Sequence, residues 1–128
     1  MTIRVTSIMV DDQDKAFEFY TKILGFVKKR EIPLEEGRWL TVVSNEDKDG
    51  VELLLAPLGF EPSILYQKAL FEAGIPAITF NVEDIDKEYA RLTQLGVAFS
   101  MEPTQMGISK LAVFSDTCGN KVQLVQVL

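Results

Sequence analysis

The pattern of apolar and polar residues from 4 to 10 predicts a β-strand, with Val5, Ser7 and Met9 on one side and Thr6, Ile8 and Val10 on the other. The next residues, 11–14 (Asp-Asp-Gln-Asp), suit the N-cap and first turn of a helix, because acidic groups there accept from unpaired backbone N–H groups and are favoured by the helix dipole. Apolar residues then recur at helical spacing as far as Leu24, and Gly25 follows where a left-handed C-terminal cap is expected. The chain therefore opens with a strand and a helix.

The same reasoning divides the rest of the chain into strands, a bridge and a second helix. Three further strands are predicted at residues 26–32, 38–43 and 51–56. A bridge interrupted by proline and glycine covers residues 57–76, and Ser63 caps a short helix within it that extends through Ala73. Beyond the bridge, a strand at 77–82 and a helix from Glu83 to Gly96 precede strands at 97–101, 110–115 and 121–127.

The second half of the chain repeats the first. Residues 10–15 match residues 82–87 at an offset of 72, whereas 24–26 match 95–97 and 51–54 match 122–125 at an offset of 71. One residue was therefore gained or lost in a helix. Because one βαβββ unit cannot cover both faces of its own sheet, two units must share a core. We predict a single α+β domain with a first module at 1–56, the bridge at 57–76 and a second module at 77–128.

Composition excludes several classes of function. A net charge of -6 opposes a nucleic-acid groove, and no apolar run approaches the length of a membrane helix. The N-terminus has no signal-peptide pattern, and the single cysteine, Cys118, rules out an internal disulfide and fits a reducing cytoplasm. The chain contains no histidine, which excludes Ser-His-Asp and Cys-His hydrolysis and any His-ligated metal. Cys118 lies in a predicted hairpin turn at 116–120, where its presence is incidental.

These motifs together resemble the vicinal-oxygen-chelate superfamily of glyoxalases, bleomycin resistance proteins and extradiol dioxygenases. The resemblance is carried by residues 10–26 and 82–97 and by Asp116, Gly119 and Asn120 ahead of the last strand, and it covers essentially the whole chain. It implies the glyoxalase/bleomycin resistance fold, in which two βαβββ modules form an open, cup-like mixed sheet. It also implies a homodimer, since many members build their pockets at a two-fold interface.

The resemblance to the glyoxalase I branch places four metal ligands, His, Glu, His and Glu, on Val5, Glu52, Ala77 and Gln123 of this sequence. The internal repeat agrees, because it aligns Val5 with Ala77 and Glu52 with Gln123. Only Glu52 keeps a charged ligand, and a tightly held transition metal normally needs three or more protein ligands. We therefore predict no transition-metal cofactor; a weak, oxygen-ligated Mg²⁺ remains compatible with these residues.

A small-molecule ligand is expected in the cup, because the lining is mostly apolar with a few polar points. Period-two counting assigns the ligand contacts to Ser7, Met9, Trp39, Glu52, Leu54 and Gln123. The sequence leaves two choices open. In one strand, either Trp39 and Thr41 or Leu40 and Val42 face into the cup. In another, either Leu111 and Val113 or Ala112 and Phe114 do so. Trp39 stacks on a planar ligand or serves as a core or dimer residue.

Glu52 has two interpretations. Within an apolar strand its pKa should rise, which suits a general base or an anchor for a cationic ligand. Alternatively it is hydrogen-bonded to Gln123 as a structural remnant. The residues 101–107, with two methionines, form either a flexible loop that closes over the cup with Gly107 as its hinge, or a plain connector.

Three functions follow from these observations. The first is a metal-free protein that binds a small molecule in the cup, like the bleomycin resistance members. The second is a glyoxalase- or dioxygenase-type enzyme, a lyase or an oxidoreductase, that uses a rearranged site with Glu52 as its base. The third is a structural or regulatory partner module. The missing metal ligands favour the first.

Overall fold

The computed structural model describes residues 1–128. The strands are β1 Val5–Val10, β2 Val27–Pro33, β3 Arg38–Val43, β4 Glu52–Pro57, β5 Ile78–Asn81, β6 Phe99–Met106, β7 Ser109–Ser115 and β8 Lys121–Val127. The helices are α1 Gln13–Glu18, which continues as a π-helical turn at Phe19–Ile23, then α2 Glu61–Ala73 and α3 Ile85–Gln94. None of these helices has both the length and the apolar character needed to cross a membrane.

The eight strands form two four-stranded mixed sheets with the same topology, β1-β4-β3-β2 and β5-β8-β7-β6. In each sheet the first and last strands of the unit pair in parallel, and the remaining pairs are antiparallel. This arrangement confirms the predicted α+β fold of two βαβββ modules. The chain separates into two compact units, residues 1–65 and 66–128, and the boundary falls within α2, inside the predicted bridge.

In the first unit, one face of the sheet packs against α1. This face carries alternate side chains of β1, β3 and β4, and those that are buried are Ile8, Val10, Leu40, Val42, Leu53 and Leu55. Ala16 and Tyr20 on the helical segment are also fully buried. In the second unit, Ile85 and Leu92 are the buried residues of α3, and Tyr89 packs edge-on against Phe99 with ring centroids 4.7 Å apart.

Gln13 ties the start of α1 to two strands. Its side-chain nitrogen donates to the carbonyls of Arg38 and Leu55, both at 2.8 Å, and its side-chain oxygen accepts from the Arg38 backbone N–H at 3.0 Å. Asp12 caps the same helix by accepting from the N–H of Lys15. Because the Gln13 amide is buried, these bonds replace water that it would otherwise bind.

The π-helical turn explains the change of offset in the repeat. The N-caps Asp12 and Asp84 lie 72 residues apart, whereas the capping glycines Gly25 and Gly96 lie 71 residues apart. A π-helical turn holds one extra residue, and the Leu24 N–H accordingly donates to the carbonyl five residues earlier, at 3.0 Å. Both glycines have positive φ, 91° and 88°, as predicted for left-handed caps.

Two local predictions were wrong. Residues 101–107 are not a loop: β6 extends to Met106 and pairs with β7, and Gly107, with φ of 63°, lies in the tight turn between the two strands. The backbone groups of this segment are hydrogen-bonded to β7. The side chains follow no regular pattern, so the sequence does not indicate a strand here. In the bridge, α2 begins at Glu61, so Ser63 lies inside the helix and is not its cap.

We expect Gln13→Ala to lower the free energy of unfolding by about 2 kcal/mol, because the change leaves buried backbone groups of β3 and β4 without partners. Gln94→Ala is the matched control, since Gln94 is an exposed residue at the end of α3. Urea denaturation followed by circular dichroism measures both variants. Equal stability of the two would show that the Gln13 hydrogen bonds contribute nothing.

Candidate functional site

The candidate site lies on the face of the first sheet opposite α1. Side chains alternate along a strand, and the register pairs Val5 with Glu52, Leu54 with Thr41, and Trp39 with Ile32. These residues therefore share one face, which we call the Glu52 face. Its members are Val5, Ser7, Met9, Val27, Arg30, Ile32, Trp39, Thr41, Val43, Glu52, Leu54 and Ala56.

Five of the six predicted ligand contacts lie on the Glu52 face. They are Ser7, Met9, Trp39, Glu52 and Leu54. For the first open alternative, Trp39 and Thr41 lie on this face, whereas Leu40 and Val42 lie on the face towards the helix. Ser7 is exposed, and Met9, Trp39 and Leu54 are half-buried.

The sixth predicted contact, Gln123, lies on the second sheet. Its register partners are Thr79 and Val113, and its side-chain nitrogen donates to the Thr79 hydroxyl at 3.2 Å. Leu111 and Val113 therefore share the face of Gln123, and Ala112 and Phe114 lie on the opposite face. Of the second open alternative, Leu111 and Val113 are thus the pair that lies with Gln123, and their inward orientation stays a prediction.

The Glu52 carboxylate is the central polar group of the first unit. It is 4% exposed, and one of its oxygens accepts from the Thr41 hydroxyl at 2.7 Å. The Arg30 Nε–H donates to both carboxylate oxygens, at 3.2 and 3.3 Å. Arg30 of β2, Thr41 of β3 and Glu52 of β4 thus form one hydrogen-bonded cluster, in which Thr41 and Glu52 are buried and Arg30 is partly exposed.

These neighbours lower the pKa of Glu52, so the predicted rise was wrong. Donation from the Thr41 hydroxyl is the largest cause, and hydrogen bonding from Arg30 and the charges of Arg30 and Arg4 act in the same direction. Burial opposes them by disfavouring the charged form. The apolar neighbours in sequence, Val51 and Leu53, say nothing about the donors that the adjacent strands bring to the carboxylate.

Arg30 was not predicted as a site residue. In regular alternation Arg30 would lie opposite Leu40 and share its face, towards the helix. A β-bulge between Lys28 and Arg30 shifts the register of β2 by one residue, so Arg30 pairs with Thr41 and lies on the Glu52 face. No sequence signal marks this bulge, because β2 is polar on both sides of it.

The internal repeat misaligns Gln123 with Glu52. The β3–β4 connection spans residues 44–51 and the β7–β8 connection spans 116–120, which is three residues shorter. In the first sheet Thr41 pairs with Leu54. In the second sheet Val113, which lies 72 residues after Thr41 and is its counterpart, pairs with Gln123. The positional counterpart of Gln123 is therefore Leu54. By the same register, Lys121 is the counterpart of Glu52, and its ammonium lies 4.6 Å from the centre of the Phe71 ring.

The residues at the four family ligand positions do not fit a transition metal. Val5 and Ala77 have no donor atom in their side chains, and both oxygens of Glu52 accept from Arg30. No group of three or more His, Cys, Asp and Glu side chains is placed to hold a metal ion. A cation at Glu52 would also have to displace a guanidinium of like charge.

The remaining candidate residues, Cys118 and Tyr20, are buried and have structural roles. Cys118 is fully buried in the β7–β8 turn, where its backbone N–H and that of Asn120 donate to the Asp116 carboxylate at 2.7 and 3.0 Å. This confirms the predicted hairpin turn. Tyr20 is fully buried beside Phe19 and Phe26, as expected of a core residue.

We expect Glu52→Gln to lower the free energy of unfolding by about 1–2 kcal/mol at neutral pH, because an amide cannot accept from both Thr41 and Arg30 with the strength of a carboxylate. The half-exposed position of Arg30 keeps the effect modest. Since folding lowers the pKa of Glu52, its contribution is complete above the ordinary glutamate pKa of about 4.3 and is lost as the pH falls through the lower value of the folded state.

The difference between wild type and Glu52→Gln should therefore begin to shrink as the pH falls below about 4.3, and it should close once the pH is below the lowered pKa of the folded state. Urea unfolding at a series of pH values measures it, and Glu102→Gln, an exposed position on β6, is the control. A difference that stays constant down to the acid limit would contradict the account of the Glu52 carboxylate.

Comparison with known proteins agrees with this fold. The model of the Glyoxalase/Bleomycin resistance protein/Dioxygenase superfamily matches residues 2–124. The protein YurT of Bacillus subtilis (strain 168) is 55% identical over 126 residues, which cover 98% of this chain and 99% of YurT.

Two solved structures are similar over nearly their whole length. The crystal structure of UcmS2 has a TM-score of 0.83 at 32% identity and covers 98% of this chain and 97% of its own. TnmS3, described as an antibiotic binding protein from Streptomyces sp. CB03234, has a TM-score of 0.79 at 28% identity and covers 100% and 97%. From its match to the family model and its 55% identity with YurT, this chain belongs to the glyoxalase, bleomycin resistance protein and dioxygenase superfamily.

Proposed function

We propose that this chain binds a small molecule against the Glu52 face without a transition metal and does not transform it. The observation that carries the proposal is the state of the Glu52 carboxylate. Both of its oxygens already accept hydrogen bonds from within the chain, so Glu52 positions neighbouring groups and is not an open ligand for a metal.

The composition of the face supports this proposal. Half-buried apolar side chains, Met9, Trp39 and Leu54, surround a few polar groups, and this is the usual composition of a small-molecule site. The similarity to TnmS3, which is described as an antibiotic binding protein, adds support from a relative of the same fold. A homodimer and a cytoplasmic location remain part of the proposal as predictions.

The alternative, an enzyme that uses Glu52 as a general base, has weaker support. A base that works near neutral pH needs a raised pKa and an oxygen that reaches the substrate. The pKa of Glu52 is lowered, chiefly by donation from Thr41, and its carboxylate is 4% exposed. A catalytic role for Glu52 therefore stays a prediction that the geometry does not favour.

We expect a panel of natural-product antibiotics, bleomycin among them, to contain compounds that raise the melting temperature of the protein. A ligand at a hundred times its Kd adds about 2.7 kcal/mol of stability, which corresponds to several degrees for a domain of this size. Trp39 is the only tryptophan and lies on the Glu52 face, so binding should also change its fluorescence.

Ser7→Phe tests the location, because a ring at this exposed position of the face fills the space beside Leu54 and should abolish the shift. Thr6→Phe is the matched control: Thr6 is also exposed but lies on the other face of β1. Compounds that stabilise both variants equally would place the ligand elsewhere. A panel in which nothing stabilises the wild type would count against a binding function.

We expect purified protein from metal-supplemented growth to contain much less than one transition-metal ion per chain, about a tenth or less, because Val5 and Ala77 supply no ligand atoms. Elemental analysis by plasma mass spectrometry measures this content, and Glu52→Gln should show the same background. A stoichiometric metal ion that disappears in Glu52→Gln would refute the metal-free proposal.

A further inference from the structure

The Arg30 guanidinium lies on the Glu52 face with most of its donor groups unused. Its Nε–H donates to both oxygens of Glu52, and the structure contains no other hydrogen bond from this side chain. The two terminal nitrogens together carry four N–H donors. Because the side chain is 45% exposed, these donors can be reached by a ligand.

The cluster holds this guanidinium in place. The Glu52 carboxylate is itself fixed by the Thr41 hydroxyl, and Arg30 reaches it across β3. An arginine whose position is already set loses less conformational freedom when it binds a second partner. Arg30 is therefore a preorganised donor, and Glu52 is the residue that positions it.

The charge of the Glu52 face differs from the charge of the whole chain. The chain carries a net charge of -6, but the charged residues that the register pairs on this face are Glu52 and Arg30, and the unpaired residue of the bulge, Lys29, forms an ion pair with Asp49. Arg4, which precedes β1, is close enough for its charge to act on Glu52. The negative charge of one buried carboxylate is thus outnumbered by the positive charges of two arginines. The face therefore favours an anionic ligand group over a cationic one.

An apolar surface lies next to the guanidinium. Trp39 and Ile32 are register partners on the same face, two residues along from the pair formed by Thr41 and Arg30. Two residues of a strand span about 7 Å. Ile32 is 51% exposed and Trp39 is half-buried, so a flat ring can contact both while a substituent reaches Arg30.

The geometry points to an acidic aromatic ligand, with its ring against Trp39 and Ile32 and its oxyanion on the terminal nitrogens of Arg30. This inference rests on the proposed function, since it names the chemical class of the molecule that the Glu52 face binds. It reverses the expectation of a cationic ligand held by Glu52. Arg30 is the residue that determines specificity.

The test compares two probes that differ only in charge, 2-naphthoate and 2-naphthamide, by titration calorimetry. A charged partner strengthens hydrogen bonds to a guanidinium, so the wild type should bind the carboxylate about tenfold or more tightly than the amide. In Arg30→Gln this preference should disappear, while the affinity for the amide stays within about twofold.

Lys28→Gln is the matched control, because Lys28 lies on the same strand but on the opposite side of the bulge, paired with Val42. It removes the same unit of charge and should keep the preference. Equal binding of both probes by the wild type, or a preference that survives in Arg30→Gln, would overturn the role of Arg30 and leave the proposed binding function standing. If neither 2-naphthoate nor 2-naphthamide binds to the wild type, the inferred acidic aromatic ligand is also overturned. The antibiotic panel then decides the binding function separately.

A measurement on the wild type alone guards against misfolding of Arg30→Gln. Salt screens charge–charge attraction at a half-exposed site. Between about 0.05 M and about 0.5 M sodium chloride the affinity for 2-naphthoate should fall severalfold, and the affinity for 2-naphthamide should not. An identical salt response of the two probes would contradict the inference.

Discussion

A buried carboxylate that accepts from a hydroxyl and a guanidinium is the interaction on which the candidate site depends. Glu52 would be costly to bury as a charge without these partners, and with them it stays ionised. The same bonds join β2, β3 and β4, orient Arg30 and occupy the oxygens that a metal would need. The stability of the cluster, the proposed ligand specificity and the poor fit to a metal therefore share one cause.

The fold could be predicted from sequence because most of its strands are short apolar runs bounded by turn residues, and because its two modules carry matching helix caps. The turn residues that bound the apolar runs located β3 and β8 to the residue, and the paired caps at Asp12 and Asp84 fixed the helix starts. The second half of β6 could not be found in this way. Its residues lack alternation, and it is held by backbone pairing with β7, which a single sequence does not display.

The site could be predicted in part. Counting from Val5 and Glu52 puts Ser7, Met9 and Leu54 on the same face as Glu52, in agreement with the register, because the side-chain period of a regular strand is strict. Arg30 could not be found, since a bulge changes the face of every residue after it. The direction of the Glu52 pKa shift depends on side chains from other strands, so its sequence neighbours predicted the wrong sign.

The register of the two sheets shows how two copies of one unit have become different. Three extra residues in the first β3–β4 connection set Glu52 in the place that Lys121 has in the second unit. An acid in one copy thus corresponds to a base in the other. Each copy therefore presents its own chemistry, and a ligand that suits one face is not expected to suit the other.

The π-helical turn at Phe19–Ile23 has a consequence for how this architecture tolerates changes in chain length. The extra residue widens one helical turn, and the glycine cap and the strand after it keep their places. An insertion of this kind is absorbed before it reaches a β-ladder, where a slip of one residue would exchange the two faces. A change of one residue in chain length can thus be taken up within the helix while the Glu52 face keeps its register.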